Sequence, residues 1–390
     1  MGARSDMTPN IPKDIATPAY VLDETALAAN MQTAARIKRE TGCKILLATK
    51  AFSLPAAFPM MRDTLDGTTA SGEYEARMGH EEFGKEVHVY SPAYFPGEVE
   101  RLATYAKHIY FNSAEQVHRY LPIVSKAPGV EIGLRINPGY SQATLGGPLY
   151  DPCAPFSRFG ATRDTLDNVP WDKVSILHAH ALCEARHSGS TGLIAHLAKN
   201  FAPYIRKVSA VNFGGGHFIN KPGYDVDALI AAIKAFRAEF NVDVILEPGA
   251  GLVVNTGYLV ARVIGIHRNE KDIAIIEASA TTHMPDVLEV PYTPEIIGAE
   301  IVSADDAPRP HSYILGGKTC MTGDIIGEYA FNKELNVGDQ IVFTDMMQYS
   351  FVKNNTFNGV PLPDLGVLER SGNYRVLRTF GYDEFRRRLG

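Results

Sequence analysis

The chain has 390 residues, of which 45% are hydrophobic and 21% are charged, a balance typical of a globular protein with room for two domains. Its formal charge of −6 and pI near 6.1 give no reason to expect nucleic acid or an acidic membrane surface as a partner. No apolar stretch approaches the roughly 20 residues that span a bilayer, and the N-terminal segment lacks the apolar core of a signal peptide.

The predicted elements begin with a short strand at 18–22 and an amphipathic helix, for which Asp23 is the N-cap and which runs to about Glu40. From Lys44 onward, short apolar runs alternate with helical patterns. The runs fall at 44–49, 66–71, 87–92, 108–113, 131–138, 175–182, 210–216 and 243–249. Strands that alternate with helices in this way predict an α/β fold, a (β/α)8 TIM-like barrel, with a doubly wound parallel sheet as the alternative.

Beyond about Ile264 the rhythm changes, because turn residues rather than long helices separate the strand-like segments. These segments fall at 271–276, 311–315, 340–344 and 374–377. The pattern predicts a mainly antiparallel β-domain. We therefore expect a barrel over 21–265 and a C-terminal β-domain over 266–390, joined by residues 1–20. The Pro- and Gly-rich gap at 139–170 is expected to cross one rim of the barrel.

Chemical groups in a barrel lie at the C-terminal ends of its strands, and polar residues or glycines follow several of the predicted strands. They are Lys50, Arg135, the pair His178 and His180, the turn Gly214–Gly216, and Glu247. Each has a structural alternative, such as a solvated charge for the lysine and glutamate or a tight turn for the glycines. The histidine pair would suit a metal, but the other strand ends offer no further set of ligands. The four cysteines also lack zinc-like spacing, so we expect no metal and reduced thiols in a cytoplasm.

Together these residues match the requirements of pyridoxal 5′-phosphate. A desolvated lysine such as Lys50 forms an imine with the aldehyde of the cofactor, and the backbone N–H groups of the glycines suit its phosphate. His180 can cover one face of the ring. Glu247 can keep the ring nitrogen protonated, so that the ring accepts the electrons released when a Cα–carboxylate bond breaks. We assign Arg135 to the same cofactor site.

A family resemblance is carried by several passages in a fixed order. They are Leu47–Phe52, Asp66–Ser71, Leu149–Pro155, Asn212–His217 and Ala278–Glu289. On these passages the chain resembles the fold-type III pyridoxal-phosphate decarboxylases, the group of diaminopimelate and ornithine decarboxylases. Within that group it is most similar to the branch that acts on carboxynorspermidine and carboxyspermidine. The resemblance implies an alanine racemase-like barrel with a β-domain.

The resemblance also implies roles for single residues. Lys50 would carry the cofactor, His180 would stack on its ring, and Glu247 would face the pyridine nitrogen. Gly214, Gly215 and Gly216, with Tyr349, match positions that bind the phosphate.

The family further implies a head-to-tail homodimer with two shared active sites. The loop Gly317–Asp324 matches the loop that enters the site of the neighbouring subunit. In that loop Cys320 is the candidate proton donor to the substrate carbon, and Asp324 is a candidate substrate contact. The implied reaction is loss of CO2, protonation at Cα and release of the amine.

Two departures from the family pattern bear on the substrate. An arginine follows Glu-Pro-Gly in diaminopimelate and ornithine decarboxylases, whereas Ala250 stands here. Diaminopimelate decarboxylase holds the distal carboxylate of its substrate with arginine, whereas the corresponding segment here has Asp286 and Glu289 and no arginine. Acidic side chains suit a distal ammonium, since a carboxylate among them is repelled and desolvated at high cost. Glu184 is a further candidate acid for this pocket, with a role on the surface as the alternative.

We therefore expect a carboxy-lyase of polyamine biosynthesis that converts carboxynorspermidine and carboxyspermidine to norspermidine and spermidine. The alternatives are diaminopimelate or another amino-acid decarboxylase, and a catalytically silent homologue that binds or regulates partners. Retention of Lys50, His180, Glu247 and Cys320 together argues against the silent homologue. The two polyamine acids differ by one methylene, which is worth only about 1–3 kcal/mol in a hydrophobic pocket, so the preference between them stays open.

Overall fold

The computed structural model describes residues 11–142, 150–303, 305–307 and 309–390. Leu149, with which one family passage begins, lies outside these residues, as do residues 1–10 of the predicted link. The chain forms two compact units. One is Ala28–Leu252, and the other combines the chain up to Leu27 with Val253–Gly390.

The described chain opens with strand β1 (Ala19–Asp23) and helix α1 (Glu24–Thr41). Oδ1 of Asp23 accepts hydrogen bonds from the N–H groups of Thr25 (2.8 Å) and Ala26 (3.0 Å). These donors belong to the first turn of the helix, where N–H groups have no intrahelical acceptor. The predicted N-cap is confirmed.

The predicted barrel is confirmed within the described residues as a closed ring of eight parallel strands. The strands are β2 (Lys44–Ala48), β3 (Gly67–Ala70), β4 (Glu86–Tyr90), β5 (His108–Phe111), β6 (Glu131–Arg135), β7 (Ile176–His178), β8 (Ala210–Asn212) and β9 (Asp243–Leu246). Pairing of β2 with β9 closes the ring. The helices that follow α1 up to the end of the barrel are α2 (Phe58–Arg62), α3 (Glu73–Met78), α4 (Glu98–Leu102), α5 (Ala114–Val124), α6 (His187–Ile205), α7 (Val226–Phe240) and α8 (Ala250–Val253).

The inside of the barrel holds both apolar and polar side chains. Leu46, Ile176 and Ile245 belong to a buried cluster that also includes Tyr110. A barrel interior is usually filled by branched apolar residues. Here fully buried polar side chains stand among them, His88 on β4 and Asn212 on β8. Buried polar groups require hydrogen-bond partners, and those of this interior lead to the candidate site.

The second unit is built on a mixed but mainly antiparallel sheet, as predicted. Its elements after the barrel are β10 (Gly257–Asn269), β11 (Lys271–Ile276), α9 (Ala280–His283), α10 (Asp286–Glu289), β12 (Ala299–Ile301), β13 (Ser312–Gly316), β14 (Ile325–Phe331), β15 (Gln340–Thr344), α11 (Tyr349–Val352), β16 (Asp364–Leu368), β17 (Tyr374–Arg378) and α12 (Tyr382–Leu389). The strand order is β12-β14-β13-β11-β10-β1-β16-β17, and β15 pairs with β10. The early strand β1 therefore lies inside this sheet, antiparallel to β10 and parallel to β16.

The limits of the barrel unit, Ala28 and Leu252, lie inside the predicted range 21–265. The reason is strand β10, which begins at Gly257 and pairs with β1, β11 and β15 rather than with a barrel strand. The change of rhythm that the sequence shows near Ile264 thus falls in the middle of this strand. In the part of the chain that the structure describes, no helix is both long and apolar enough to cross a membrane.

Candidate active site

A pocket opens at the C-terminal ends of the barrel strands, the position at which parallel barrels place their chemistry. Its lining residues are Ala48, Lys50, Thr69, Ala70, Ser71, Tyr90, Arg135, His178, His180, Gly215 and Glu247. The structure therefore brings together in one pocket most of the strand-end residues that the sequence analysis singled out. This convergence follows from parallel strands that all end at the same rim.

Lys50 lies in the turn that follows β2 and reaches into the pocket. Burial of its amine, together with the positive charge of Arg135, lowers the pKa of Lys50 below that of a free lysine, although the Glu247 carboxylate opposes the shift. Lys50 forms no hydrogen bond or ion pair with the described residues. A larger neutral fraction makes the amine a better nucleophile toward a carbonyl.

Arg135 ends β6 and is almost completely buried. Its guanidinium carbon lies 4.4 Å from the ring centre of Tyr90 and 4.5 Å from that of Phe159, within the range of a cation–π contact. One terminal nitrogen donates to the backbone oxygen of His180 (3.0 Å). Its Nε has no partner among the described residues, so one buried donor remains available in a residue that lines the pocket.

His180 follows β7, and the glycine turn fixes the tautomer of its neutral ring. The N–H of Gly215 donates to Nδ1 of His180 (2.8 Å), so in the neutral ring the proton is on Nε2. Burial, with the charges of Lys50 and Arg135, holds the pKa of His180 well below its usual range. A neutral imidazole can stack on a flat ring without adding a positive charge beside it.

The turn Gly214–Gly216 requires glycine where it meets His180. Gly214 has a φ of +69°, and a Cβ there would lie 2.7 Å from the Cα of His180, a distance that side chains do not tolerate. The N–H of Gly214 donates to Oδ1 of Asn212 (2.8 Å), and that of Gly215 is used by His180. Of the three, the N–H of Gly216 alone has no hydrogen bond with the described residues. Of these N–H groups, only that of Gly216 therefore remains for the phosphate contact predicted for this turn.

Glu247 follows β9 and is almost completely buried. Its Oε1 accepts a hydrogen bond from Nδ2 of Asn212 (2.7 Å), and its Oε2 lies 3.3 Å from Nε2 of His178. Burial acts to raise the pKa of Glu247, but His178 and Asn212 outweigh it and lower the pKa to about 2. The carboxylate is therefore ionised and suited to hold a protonated ring nitrogen.

Asn212 and Tyr110 were missed as site residues by the sequence analysis. Asn212 stands in one of the family passages, directly before the glycine turn, and its spacing to that turn was the available signal. Tyr110 gave no signal, because an aromatic residue inside an apolar strand is typical of core packing. His178 was recognised as one of a histidine pair, but its contact with Glu247 was not.

In the second unit, Cys320 is exposed in the loop between β13 and β14. Its N–H donates to Oδ1 of Asn358 (2.8 Å). An exposed thiol fixed by its backbone is available to a neighbouring molecule. The predicted role of Cys320 as proton donor stays a prediction.

Asp324 closes the same loop and is buried. Its carboxylate accepts hydrogen bonds from Oγ1 of Thr319 (2.6 Å), from Oγ of Ser279 (2.9 Å) and from the N–H of Thr281 (3.3 Å). Both of its oxygens are engaged, so Asp324 fastens the loop to the start of α9. The substrate contact expected of Asp324 stays a prediction.

Asp286 and Glu289, both on α10, differ in their hydrogen-bond and ion-pair partners. Oδ2 of Asp286 accepts hydrogen bonds from the hydroxyls of Tyr292 (2.5 Å) and Ser350 (2.9 Å), while its buried Oδ1 has no partner among the described residues. Burial and the Asp286 charge raise the pKa of Tyr292, which keeps that hydroxyl neutral. Glu289 is exposed and forms an ion pair with Lys353. Among the described residues, Glu289 therefore forms an ion pair and Asp286 forms none, although Lys353 also interacts with the charge of Asp286.

The last two predicted site residues, Tyr349 and Glu184, are not among the residues that line the pocket. Tyr349 begins α11 and is half-buried. Glu184 is exposed in the segment between β7 and α6, with a φ of +43°. Their predicted contacts, with phosphate and with substrate, stay predictions.

Comparison with known proteins agrees with this geometry. Residues 19–347 match the family model described as pyridoxal-dependent decarboxylase, C-terminal sheet domain. A carboxynorspermidine/carboxyspermidine decarboxylase of Campylobacter jejuni is 40% identical over 95% of this chain and 98% of that protein. A carboxyaminopropylagmatine decarboxylase of Synechocystis sp. is 41% identical over 96% of this chain and 95% of that protein. The crystal structure of the Campylobacter jejuni carboxynorspermidine decarboxylase complexed with norspermidine superposes with a TM-score of 0.89 at 38% identity, covering 96% of this chain and 100% of that one.

Proposed function

The chain belongs to the pyridoxal-dependent decarboxylases, and on that premise we propose that it removes the α-carboxylate of carboxynorspermidine and carboxyspermidine. The products are norspermidine and spermidine, which places the enzyme in polyamine biosynthesis. The observation that carries the proposal is the similarity, over nearly the whole chain, to the Campylobacter jejuni carboxynorspermidine/carboxyspermidine decarboxylase.

The pocket residues fit pyridoxal 5′-phosphate. The Lys50 amine has no hydrogen bond or ion pair with the described residues and can react with the cofactor aldehyde. Glu247 has an ionised carboxylate for the ring nitrogen, and His180 has a neutral ring for stacking. Arg135 keeps a buried N–H donor without an acceptor, which suits an anionic ligand. When bound, the cofactor supplies an acceptor for the electron pair that CO2 leaves behind.

The protein residues then bind, orient and move protons. Burial in the pocket removes water from the substrate carboxylate and strengthens the fixed charges around it. Glu247 would keep the ring nitrogen protonated, and Lys50, whose pKa is lowered, would hold the cofactor through its aldehyde. Cys320 is the proposed donor of the proton that replaces CO2 at Cα.

Asp286 is the proposed partner for the distal ammonium of the substrate. An ammonium is a compact charge that one carboxylate oxygen can hold, and Oδ1 of Asp286 is such an oxygen. The distal carboxylate of diaminopimelate would meet this negative charge without a compensating arginine in the segment 283–292. The same residue thus favours a polyamine acid and disfavours diaminopimelate.

Carboxyaminopropylagmatine is a second candidate substrate, because the Synechocystis sp. relative that acts on it is as similar as the Campylobacter jejuni enzyme. The distal group of an agmatine derivative is a guanidinium, whose planar fork binds best to two free oxygens of one carboxylate. Oδ2 of Asp286 already accepts from Tyr292 and Ser350. We therefore place the ammonium substrates first.

We further propose that the enzyme works in the cytoplasm as a homodimer with shared sites. All four cysteines are free thiols, which suits a reducing compartment. Cys320 is exposed on a loop of the second unit, where it can serve the active site of a partner subunit.

A side-by-side assay tests the substrate. Release of CO2 should be measured from carboxynorspermidine, carboxyspermidine, carboxyaminopropylagmatine and meso-diaminopimelate with purified enzyme and added cofactor. We expect kcat/KM to be highest for the first two acids. A higher value for carboxyaminopropylagmatine would replace the leading substrate, and a higher value for diaminopimelate would refute the argument from Asp286.

A further inference from the structure

A continuous chain of hydrogen bonds runs through the inside of the barrel from Glu247. Nδ2 of Asn212 donates to Oε1 of Glu247 (2.7 Å) and to the hydroxyl of Tyr110 (2.9 Å). The Tyr110 hydroxyl lies 3.0 Å from Nδ1 of His88, and Nε2 of His88 lies 3.3 Å from Oε2 of Glu86. Three barrel strands, β4, β5 and β8, and the turn after β9 contribute to one connected set of polar groups.

The direction of each proton in this chain follows from its neighbours. Oδ1 of Asn212 accepts from the N–H of Gly214, so the amide nitrogen must face Glu247 and Tyr110. Tyr110 accepts from that nitrogen and therefore donates its own proton to Nδ1 of His88. His88 must then carry its proton on Nε2 and donate it to Glu86. Only one arrangement of protons satisfies all of these hydrogen bonds. In it each hydrogen bond has one donor proton, and the groups at the two ends are the carboxylates of Glu247 and Glu86.

The Glu86 end of this chain of hydrogen bonds is also fixed in position. Nζ of Lys44 lies 2.6 and 2.9 Å from the two carboxylate oxygens of Glu86. The hydrogen bond from His88 lowers the pKa of Glu86 to about 2 against the effect of partial burial. Burial lowers the pKa of His88 and raises that of Tyr110, so both links stay neutral. Glu86 is thus a permanent acceptor that holds the tautomer of His88.

The surrounding strands make room for this chain. A Cβ on Gly133 of β6 would lie 2.1 Å from a ring carbon of Tyr110, so the glycine is required for the ring to lie where it does. Tyr110, His88 and Asn212 are all fully buried. Apolar side chains of similar size would fill the same space without the cost of burying polar groups. Packing alone therefore does not explain these residues.

We infer that Asn212, Tyr110 and His88 are positioning residues that hold Glu247 oriented and ionised toward the ring nitrogen, acting from inside the barrel. The inference rests on the proposed cofactor site. Asn212 can hold Glu247 only while its amide is oriented, and Tyr110 is the second acceptor that fixes this orientation. His88 in turn fixes the direction in which Tyr110 donates.

Other charged or titratable groups also act on Glu247. They are Lys50, His88, Tyr110, Arg135, His178 and His217. Variants must therefore change one link of the chain and leave the charges of the pocket in place. Tyr110→Phe meets this condition, since it removes one hydroxyl and no charge.

The test measures Glu247 itself as well as catalysis. The carboxyl of Glu247 is followed by carbon-13 NMR in the full-length protein without cofactor, and its signal is assigned with Glu247→Gln. In Tyr110→Phe we expect the pKa of Glu247 to rise by about one unit, a tenfold change in its ionisation constant. We expect kcat of the enzyme with cofactor to fall about tenfold to a hundredfold, with a smaller change in KM.

Two further variants separate positioning from packing. His88→Asn places an amide oxygen near the position of Nδ1 and should retain the Glu247 pKa of the wild type, whereas His88→Leu should behave as Tyr110→Phe does. Tyr329→Phe is the matched control, because it removes a buried hydroxyl that donates to the backbone oxygen of Pro294 (2.8 Å) in the other unit. A Glu247 pKa that is equal in Tyr110→Phe and Tyr329→Phe overturns the inference. An enzyme that releases no CO2 from any of the four acids, but whose Glu247 pKa shifts as expected, overturns the proposed function and leaves the positioning role intact.

Discussion

Replacing Asp286 with asparagine removes one negative charge while keeping the shape of the side chain. Tyr292 and Ser350 can still donate to the remaining oxygen, so we expect the melting temperature to change little. The lost interaction is that of Oδ1, which is buried and has no partner in the described residues. A hydrogen bond between charged groups contributes about 1.5–3 kcal/mol, which corresponds to roughly a 10- to 150-fold rise in KM at about 1.4 kcal/mol per factor of ten.

Glu289→Gln is the control for this prediction, because it removes a charge from the same helix. Glu289 is exposed and already paired with Lys353, so we expect its KM to change less than about threefold. The assay is CO2 release at varied carboxynorspermidine concentration, with kcat and KM fitted separately. The distal ammonium is bound equally in ground state and transition state, so kcat should be nearly unchanged. An unchanged KM in Asp286→Asn beside a raised KM in Glu289→Gln would refute the assignment of Asp286.

Three other predictions concern the cofactor, the dimer and pH. Lys50→Ala should lack the absorbance band that borohydride bleaches in the wild type; retention of a bleachable band would exclude Lys50 as the cofactor lysine. An equal mixture of Lys50→Ala and Cys320→Ala subunits, each inactive alone, should regain about a quarter of wild-type activity if each site takes one residue from each subunit; no recovery after subunit exchange would contradict shared sites. Because the pKa of Glu247 is lowered from 4.5 to about 2, its contribution of at most about 3 kcal/mol is present above pH 4.5 and lost as pH falls toward 2. As the pH falls over this range, the free energy of unfolding measured by denaturant titration should decrease less for Glu247→Gln than for the wild type. Equal decreases would refute the lowered pKa of Glu247.

The barrel could be predicted because its strands are short apolar runs at regular intervals, and such runs depend on local sequence. The strand ends then gave Lys50, His180 and Glu247, since parallel strands bring their ends to one rim. The C-terminal boundary of the barrel was harder to predict. Nothing local distinguishes the start of β10 from another barrel strand, and its partners β1 and β15 are far from it in the sequence.

Pairings between distant residues set the other limits of prediction. Asp286 and Glu289 look alike in the sequence, and only their partners Ser350 and Lys353 distinguish the acid with a free oxygen from the acid already neutralised. The chain through Tyr110 was out of reach for a related reason. Its members lie in separate strands that look apolar, and each becomes a polar link only when the barrel closes.

The position of β1 has a consequence for the order of folding. Residues 28–252 form a continuous stretch that can acquire its contacts as soon as it leaves the ribosome. Strand β1 precedes this stretch, yet its neighbours are β10 and β16, which are synthesised after it. Its apolar residues Ala19 to Leu22, all buried in the finished sheet, have no strand partner until β10 has been synthesised. Until then β1 has free edges that can pair with other chains, and this hazard ends when β10 and β16 pair with it.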